Sequence, residues 1–352
     1  MTRIGNTPLT NFTLTDLGWS PHFAAQCDDD DLCHAARVTS IARDRVFVLT
    51  TDGPLTVLAP SDAQTSHFAV GDWVILTTDH VSIERRLTPH TNLERRAAGT
   101  GVETQLIAAN VDTLAIVSSC NADFNEARLE RYLALALTSG CLPLVVLTKS
   151  DLCDDPRDYV RRAERLSPLV TALALNATAA DEAELLAPWC KDGQTIALLG
   201  SSGVGKSTLS NALTASQIET QAIREDDAKG RHTTTVRELF RTRFGGWLID
   251  TPGMRALRLA DASEGIEAVF GDIEDLARNC RFSNCAHETE PDCAVLNAVE
   301  RGELTPDRLD RWRKLLREDA HNSATLHEAH RNDRNFGKMV RSAMKDKHGR
   351  RR

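Results

Sequence analysis

The segment that most restricts the fold of this chain is a glycine-rich turn between an apolar run and a helix-forming run. Residues 200–207 read GSSGVGKS and fit the pattern GxxxxGK followed by Ser or Thr at every fixed position. Apolar residues 196–199 precede this turn, and a predicted helix over residues 208–213 follows it. A strand, a phosphate-cradling turn and a helix in this order predict a P-loop in an α/β sheet.

Each residue type of this loop suits the binding of a nucleoside triphosphate. The glycines let backbone N–H groups turn toward the β-phosphate, at the positive end of the following helix. We expect Lys206 to reach the β- and γ-phosphates and the Ser207 hydroxyl to bind Mg²⁺. The predicted nucleotide contacts of this loop are Gly200, Ser201, Ser202, Gly203, Val204, Gly205, Lys206, Ser207 and Thr208.

Two downstream segments suit the γ-phosphate. Residues 250–253 read DTPG directly after an apolar pair, which predicts that Asp250 holds Mg²⁺ through water and that the Gly253 amide senses the γ-phosphate. Residues 230–235 read GRHTTT, and we expect Thr234 to bind Mg²⁺ in the triphosphate state and to release it after hydrolysis. A plain surface loop is the alternative for this second segment.

A candidate base-reading motif lies upstream of the P-loop. It ends an apolar strand over residues 144–147, and its residues are Thr148, Lys149, Ser150 and Asp151. The Asp151 carboxylate can accept hydrogen bonds from the ring N–H and the exocyclic amine of guanine. Adenine offers no matching pair, so we expect a buried carboxylate at this position to prefer guanine by roughly 2–4 kcal/mol. A helix-starting Ser–Asp turn is the alternative for this tetrapeptide.

A second base contact is predicted at Asn176 and Ala177, where a backbone N–H can meet the guanine oxygen. The elements then run in the order base-reading, phosphate-binding, switch one and switch two, a circular permutation of the usual GTPase order. The chain after Gly253 therefore leads out of the nucleotide domain toward a cysteine-rich segment. We hypothesise that this connection transmits the γ-phosphate state to the C-terminal module.

Four side chains in that segment have the spacing of a metal site. Cys280, Cys285, His287 and Cys293 form the pattern C-x4-C-x-H-x5-C. Three thiolates and one imidazole suit tetrahedral Zn²⁺ and leave no open position for catalysis, so we predict one structural zinc. The other six cysteines are dispersed, and we expect them to be small core residues.

The predicted fold class is α/β. Short β-rich pieces from residue 35 to about residue 87 predict a small barrel, with the OB-fold as candidate. After residue 101, strands alternate with helices as in a parallel sheet covered on both faces. We predict a solvated, mobile, irregular lead-in over residues 1–34, an OB-fold-like barrel over 35–100, a circularly permuted GTPase domain over 101–271 and a helical zinc-binding module with a basic tail over 272–352.

Charge and hydropathy restrict the partners. The net charge of −8 argues against a generally basic nucleic-acid coat. Residues 331–352, however, hold nine Lys and Arg against two Asp, which suits contact with RNA phosphates. No run of about 18 uncharged apolar residues is present, which predicts no membrane span. Clustered cysteines without a visible secretory signal favour a metal site in a reducing cytoplasm.

In this order, the motifs resemble those of the bacterial small-ribosomal-subunit-dependent GTPases, the family known as RsgA or YjeQ. The resemblance covers about residues 35–320. It implies an OB-fold, a permuted GTPase domain, a zinc module and a role in late maturation of the small ribosomal subunit, which would stimulate hydrolysis. The expected partners are GTP or GDP, that subunit and its rRNA, with no membrane, and the chain is expected to be a monomer. The departures are the long lead-in and Thr148, where many GTPases have Asn.

The residue that orients the attacking water is open at this stage. Met254 follows Gly253, where Ras-like proteins place a glutamine, and methionine cannot orient water. Either His232, as the resemblance also implies, or a partner performs this step, so we expect slow intrinsic hydrolysis. Three other functions remain as alternatives: a GTPase serving another RNA or protein, a kinase or ATPase on the same loop, and a pure RNA-binding module. Asp151 argues against the kinase or ATPase, and the P-loop against the RNA-binding module.

Overall fold

The computed structural model describes residues 11–61, 63–96, 104–214, 237–250 and 261–323. These residues belong to two compact units, the first within residues 1–94 and 106–256 and the second within residues 95–105 and 257–352. The barrel and the nucleotide-binding sheet belong to the same unit, and the four-part division of the chain stays a prediction. Residues 230–235, 251–253 and 331–352 lie outside the described residues.

The lead-in belongs to the first unit, and parts of residues 11–34 are packed within it. Its short helix α1 spans Pro21–Ala24, and the side chains of Leu17 and Phe23 are fully buried. The ring of Trp19 meets Trp73 edge to face, with 4.7 Å between centroids. The expectation of a solvated lead-in is therefore wrong for Leu17 and Phe23, because burying large apolar side chains outweighs the polar average of the segment. The acidic residues Asp28, Asp29 and Asp30 are exposed, as expected.

A five-stranded barrel follows. Its strands are β1 (Ala35–Ile41), β2 (Val46–Thr50), β3 (Gly53–Val57), β4 (Trp73–Leu76) and β5 (Ile83–Arg86). β1 pairs antiparallel with β2 and β4, β2 pairs with β3, and β4 pairs with β5. Leu58 follows β3 and Ser82 precedes β5, and a β-bridge between these two residues closes the barrel. The closed five-stranded barrel confirms the predicted small barrel and agrees with an OB-fold.

Strands β6 (Asn92–Arg96) and β7 (Thr104–Ala109) form a separate two-stranded sheet. The nucleotide-binding sheet then follows, in the spatial order β10-β9-β8-β11-β13-β12. Its strands are β8 (Thr113–Ser119), β9 (Leu142–Thr148), β10 (Thr171–Ala174), β11 (Thr195–Gly200), β12 (Glu238–Arg241) and β13 (Trp247–Asp250). The helices of this region are α2 (Glu126–Thr138), α3 (Pro156–Glu164) and α4 (Lys206–Leu213).

The predicted parallel sheet is confirmed for five strands and wrong for β12. β12 runs antiparallel to β13 because only a short turn joins the two, and a tight hairpin can connect only antiparallel strands. On its other side β12 pairs with β1 of the barrel, with Ser40 opposite Glu238. The barrel and the nucleotide-binding sheet are thus one hydrogen-bonded sheet.

A buried arginine reinforces this connection between barrel and sheet. Arg37 on β1 is 1% exposed. Its guanidinium donates to the Leu17 carbonyl and to the Thr195 hydroxyl, both at 2.6 Å. Burial lowers the pKa of Arg37 to about 10, which leaves it charged at neutral pH. One cation therefore links the lead-in, the barrel and the first residue of β11.

The second unit is helical. It contains α5 (Ser263–Val269), α6 (Gly271–Ala277), α7 (Ala294–Glu300) and α8, which is helical over the described residues 306–323. Its apolar interior includes Ile266, Phe270, Ile273, Val295 and Leu309. Within the described parts of the chain, no helix combines the length and the apolar character that a membrane span requires.

Candidate nucleotide site and metal centre

Four of the predicted segments meet at one edge of the parallel sheet. Thr148 ends β9, Asn176 follows β10, Gly200 ends β11 and Asp250 ends β13. Because these strands are parallel, their carboxyl ends lie along the same edge, which is where ligands bind in open α/β sheets. The topology thus brings together segments that are about a hundred residues apart in the chain.

The shape of the P-loop depends on its glycines. A Cβ on Gly200 would lie 2.2 Å from the carbonyl oxygen of Val117 on the neighbouring strand. Gly203 and Gly205 have φ angles of +77° and +96°, in the left-handed region that favours glycine. Val204 between them is 1% exposed and anchors the loop in the core. The glycines and the buried Val204 therefore hold the turned backbone of the loop.

Lys206 folds back over this loop. Its ammonium donates to the Gly200 carbonyl at 2.8 Å and also to the Ser201 carbonyl. Burial raises the pKa of the Asp250 carboxyl above its ordinary value, and the positive charge of Lys206 partly opposes this rise. The Lys206 ammonium and the Asp250 carboxylate thus interact electrostatically near the end of β13, where a phosphate and its metal ion would lie.

The candidate base-reading motif is bonded directly to the P-loop. Thr148 is fully buried, and its hydroxyl contacts the carbonyl oxygens of Ser118, at 3.1 Å, and of Val204. A hydroxyl carries one proton, so it donates to one of these oxygens at a time. Lys149, with a left-handed φ of +59°, donates from Nζ to the Gly203 carbonyl at 2.8 Å. Threonine, although shorter than asparagine, bridges the two loops.

The turn after β10 lies beside this motif. The Ser150 amide donates to the Leu175 carbonyl at 3.4 Å. The expectation of a buried carboxylate is wrong for Asp151, which is exposed on the turn that follows β9. The Asn176 amide donates to the Glu182 carboxylate at 2.6 Å. Sequence reasoning missed Glu182, because this bond joins two residues that form no recognisable motif.

The four predicted metal ligands come together in the second unit. The ligand atoms of Cys280, Cys285, His287 and Cys293 all lie within 4.8 Å of one another. Cys280 Sγ is 3.8 Å from Cys293 Sγ and 3.5 Å from His287 Nδ1, and His287 Nδ1 is 3.4 Å from Cys293 Sγ. A tetrahedral Zn²⁺ with Zn–S near 2.3 Å and Zn–N near 2.0 Å separates its ligand atoms by about 3.5–3.8 Å. The donor set and its spacing therefore fit a zinc ion.

Helix α8 supports this cluster from one side. The Trp312 ring packs on the His287 ring with 5.6 Å between centroids, and its indole N–H donates to Glu274 at 3.2 Å. Arg313 donates to the His287 carbonyl, which fixes the left-handed backbone of the histidine. Burial lowers the pKa of His287, which favours the neutral imidazole that binds a metal.

The dispersed cysteines do not all follow the prediction. Cys120, Cys141 and Cys190 are buried, as expected of small core residues. Cys27 and Cys153 are only partly buried, and Cys33 is exposed, so a core role is wrong for Cys33. Cys33 lies in a one-turn 3-10 helix at the surface, where its thiol donates to the Asp30 carbonyl.

Sequence comparisons agree with this arrangement. A family model described as RsgA GTPase matches residues 87–260. A Mesorhizobium japonicum protein named small ribosomal subunit biogenesis GTPase RsgA is 49% identical over 316 residues, covering 88% of this chain and 91% of the relative. A Vibrio parahaemolyticus protein named small ribosomal subunit biogenesis GTPase RsgA 2 is 46% identical over 341 residues, covering 96% of this chain and 94% of the relative.

Solved structures show the same architecture. YjeQ from Thermotoga maritima matches with a TM-score of 0.60 and 27% identity over 81% of this chain and 98% of that protein. YloQ, described as a circularly permuted GTPase, matches in fold with a TM-score of 0.58 and 23% identity, over 81% of this chain and 94% of that protein. The permuted order of the motifs, their meeting at one sheet edge and these relatives lead to one conclusion: the chain belongs to the RsgA family of GTPases.

Proposed function

We propose that this protein binds guanine nucleotides, hydrolyses GTP and acts in biogenesis of the small ribosomal subunit. The observation that carries the nucleotide part is the direct bonding of the TKSD loop to the P-loop, through Thr148 to Val204 and through Lys149 to Gly203 at 2.8 Å. These bonds hold the loop that carries Asp151 against the P-loop, which supports a base-reading role for the Asp151 carboxylate. The names of the two relatives support the part that concerns the ribosomal subunit.

In this proposal, Asp151 reads the ring N–H and exocyclic amine of guanine, while the stem of Lys149 covers the base. The exposed position of Asp151 leaves its carboxylate open to a ligand. The turn at Asn176 and Ala177 provides a backbone donor for the guanine oxygen. Thr148 ties the base-reading loop to Val204 of the P-loop, and Ser150 ties it to Leu175 before the turn.

The phosphates would lie in the P-loop at the start of α4, with Lys206 leaving its loop carbonyls to bind the β- and γ-phosphates. Ser207 and Thr234 would hold Mg²⁺, with Asp250 acting through water, and the ion neutralises phosphate charge. Gly253 would donate to the γ-phosphate. We assign orientation of the attacking water to His232; His232, Thr234 and Gly253 lie outside the described residues.

We propose zinc as the ion of the cysteine cluster, because its four ligand atoms all lie within 4.8 Å of one another and the separations among Cys280, His287 and Cys293 are close to those of a tetrahedral zinc site. Four protein ligands would complete its coordination and leave no position for a substrate, so its role would be structural. The same proposal includes the four-part division of the chain given above, a monomeric state and action in the cytoplasm. Mass determination in solution tests the monomeric state.

The test is GTP hydrolysis with and without purified small ribosomal subunits. We expect a strong rise with the subunit that disappears in Lys206→Ala. Lys191→Ala is the matched control, because Lys191 is an exposed lysine near the amino end of β11, away from the site. Absence of a rise with intact GDP binding would remove the subunit from the proposal. Competition of ATP with labelled GDP would contradict the reading of guanine.

A further inference from the structure

The turn after β10 leaves one backbone donor without an acceptor. The amide of Asn176 donates to Glu182 at 2.6 Å, that of Thr178 to Asn176 Oδ1 at 2.9 Å, and that of Ala179 to the Asn176 carbonyl at 3.0 Å. Within the described part of the chain, nothing accepts a hydrogen bond from the Ala177 amide, although Ala177 is only 6% exposed. Leaving such a donor unpaired costs free energy, so this position suits an acceptor atom of a ligand.

This donor lies on the turn that runs beside the base-reading loop. Ala177 belongs to the same buried cluster as Val204 of the P-loop. Strands β9 and β10 are parallel neighbours, with Leu147 opposite Ala174, so the chain segments that follow them run side by side. The bond from Ser150 to Leu175 ties these segments together. An acceptor that meets the Ala177 amide therefore belongs to the molecule that Asp151 binds.

Glu182 determines which donor of the turn stays open. Its carboxylate accepts a short, charge-assisted hydrogen bond from the Asn176 amide. Glu182 begins the 3-10 helix Glu182–Trp189, which is anchored by the fully buried side chains of Ala183 and Leu186. The carboxylate thus has a fixed position, and the turn cannot rotate to offer Asn176 in place of Ala177.

The Asn176 side chain strengthens the same arrangement. Its Oδ1 accepts hydrogen bonds from the Thr178 amide at 2.9 Å and from the Thr178 hydroxyl at 2.7 Å. Asn176 is therefore held at its backbone by Glu182 and at its side chain by Thr178. The Ala177 peptide between these two points has little freedom to reorient.

We infer that Glu182 is a specificity-determining positioning residue, which fixes the Ala177 N–H toward the oxygen at position 6 of the guanine base. The inference rests on the proposed guanine-nucleotide binding and adds a residue from outside the base-reading motif. Glu182 does not touch the base. It acts through the turn, so its loss changes recognition of position 6 and leaves recognition of the exocyclic amine by Asp151 unchanged.

The experiment compares three nucleotides on four proteins. GDP, 6-thio-GDP and IDP are titrated against the wild type, Glu182→Ala, Glu182→Gln and the control Glu184→Ala. Sulfur at position 6 is a weak acceptor, whereas IDP lacks only the amine that Asp151 reads. Glu184 is the matched control because it lies in the same 3-10 helix and is exposed.

We expect Glu182→Ala to weaken GDP binding about tenfold, which corresponds to the loss of one charge-assisted hydrogen bond. The affinity for 6-thio-GDP should change little. The preference for GDP over 6-thio-GDP then collapses, while the preference for GDP over IDP stays. Glu182→Gln keeps an acceptor oxygen at the same reach and keeps most of the discrimination. Glu184→Ala behaves as the wild type.

Three outcomes would contradict parts of this reasoning, and they can be told apart. A wild type that fails to bind GDP overturns the proposed function itself. Wild-type binding with an equal loss of all three nucleotides in Glu182→Ala, or with no loss, overturns the role of Glu182 alone. If Glu182→Ala does not fold, Glu182→Asp provides the same comparison, because its carboxylate is one methylene too short to reach Asn176.

Discussion

The nucleotide-binding edge and the cysteine cluster hold their functional groups by different means. At the edge, the loops bond to one another and to buried strands, as Thr148 does to Ser118 and Val204. In the cluster, helix α8 contacts His287 through Trp312 and Arg313, but two of the three cysteines are only partly buried. Contacts with the core therefore hold the loops of the nucleotide-binding edge in place. The cysteine cluster instead requires a metal ion to hold its four side chains together.

The largest expected effect is loss of the metal. Cys293→Ser should reduce bound zinc from one per chain to near zero and remove the fold of residues 261–323, because structural zinc contributes about 10–16 kcal/mol in zinc-finger peptides. Zinc content and the rate of limited proteolysis measure this loss. Cys33→Ser is the control, since Cys33 is exposed and lies outside the cluster. GDP affinity should stay near that of the wild type, and its collapse would show that the two sites are not independent.

A smaller effect tests the pre-formed loop. Gly200→Ala places a Cβ 2.2 Å from the Val117 carbonyl, and we expect a loss of about 3 kcal/mol in the free energy of unfolding. Gly203→Ala meets no atom within 4 Å, so only its left-handed backbone opposes the change, at about 1 kcal/mol. Denaturant unfolding of both variants measures the difference. Equal losses would mean that the loop is not held against β8.

The smallest effect concerns the bridging hydroxyl. Thr148→Val keeps the shape of a fully buried side chain but removes the donor to Ser118 and Val204. We expect a loss of about 1 kcal/mol in stability and about fivefold weaker GDP binding. Thr148→Ser retains the hydroxyl and should bind GDP more tightly than Thr148→Val. If both variants match the wild type, the hydroxyl does not connect the loops.

Much of the fold could be predicted because its signals are local. The buried strands β8, β9 and β11 are short apolar runs, and the turns between the barrel strands carry Gly, Asp and Pro. The P-loop and the TKSD motif are fixed by spacing, and the topology brings their strands to one edge. The metal ligands likewise lie within 14 residues of the chain, so their spacing alone predicted that they would meet.

The remaining features depend on contacts between distant residues. Trp19 and Phe23 of the lead-in pack on Trp73, and no periodic pattern marks them as buried. The antiparallel direction of β12 follows from its hairpin with β13, which apolar content alone does not reveal. Glu182 resembles any acidic residue at the start of a helix until its bond to Asn176 is known.

The pairing of β12 with β1 has a consequence for dissecting the chain. A fragment that starts at β8 would lack β1, so the outer side of β12 would present free N–H and C=O groups to other molecules. The same cut would uncover Trp247, whose indole N–H donates to the Asp16 carbonyl and whose ring contacts Phe12. Such a fragment exposes an unpaired strand edge next to a large aromatic side chain, and both favour aggregation. A shortened chain for solution work should therefore keep the lead-in from residue 11 together with the barrel.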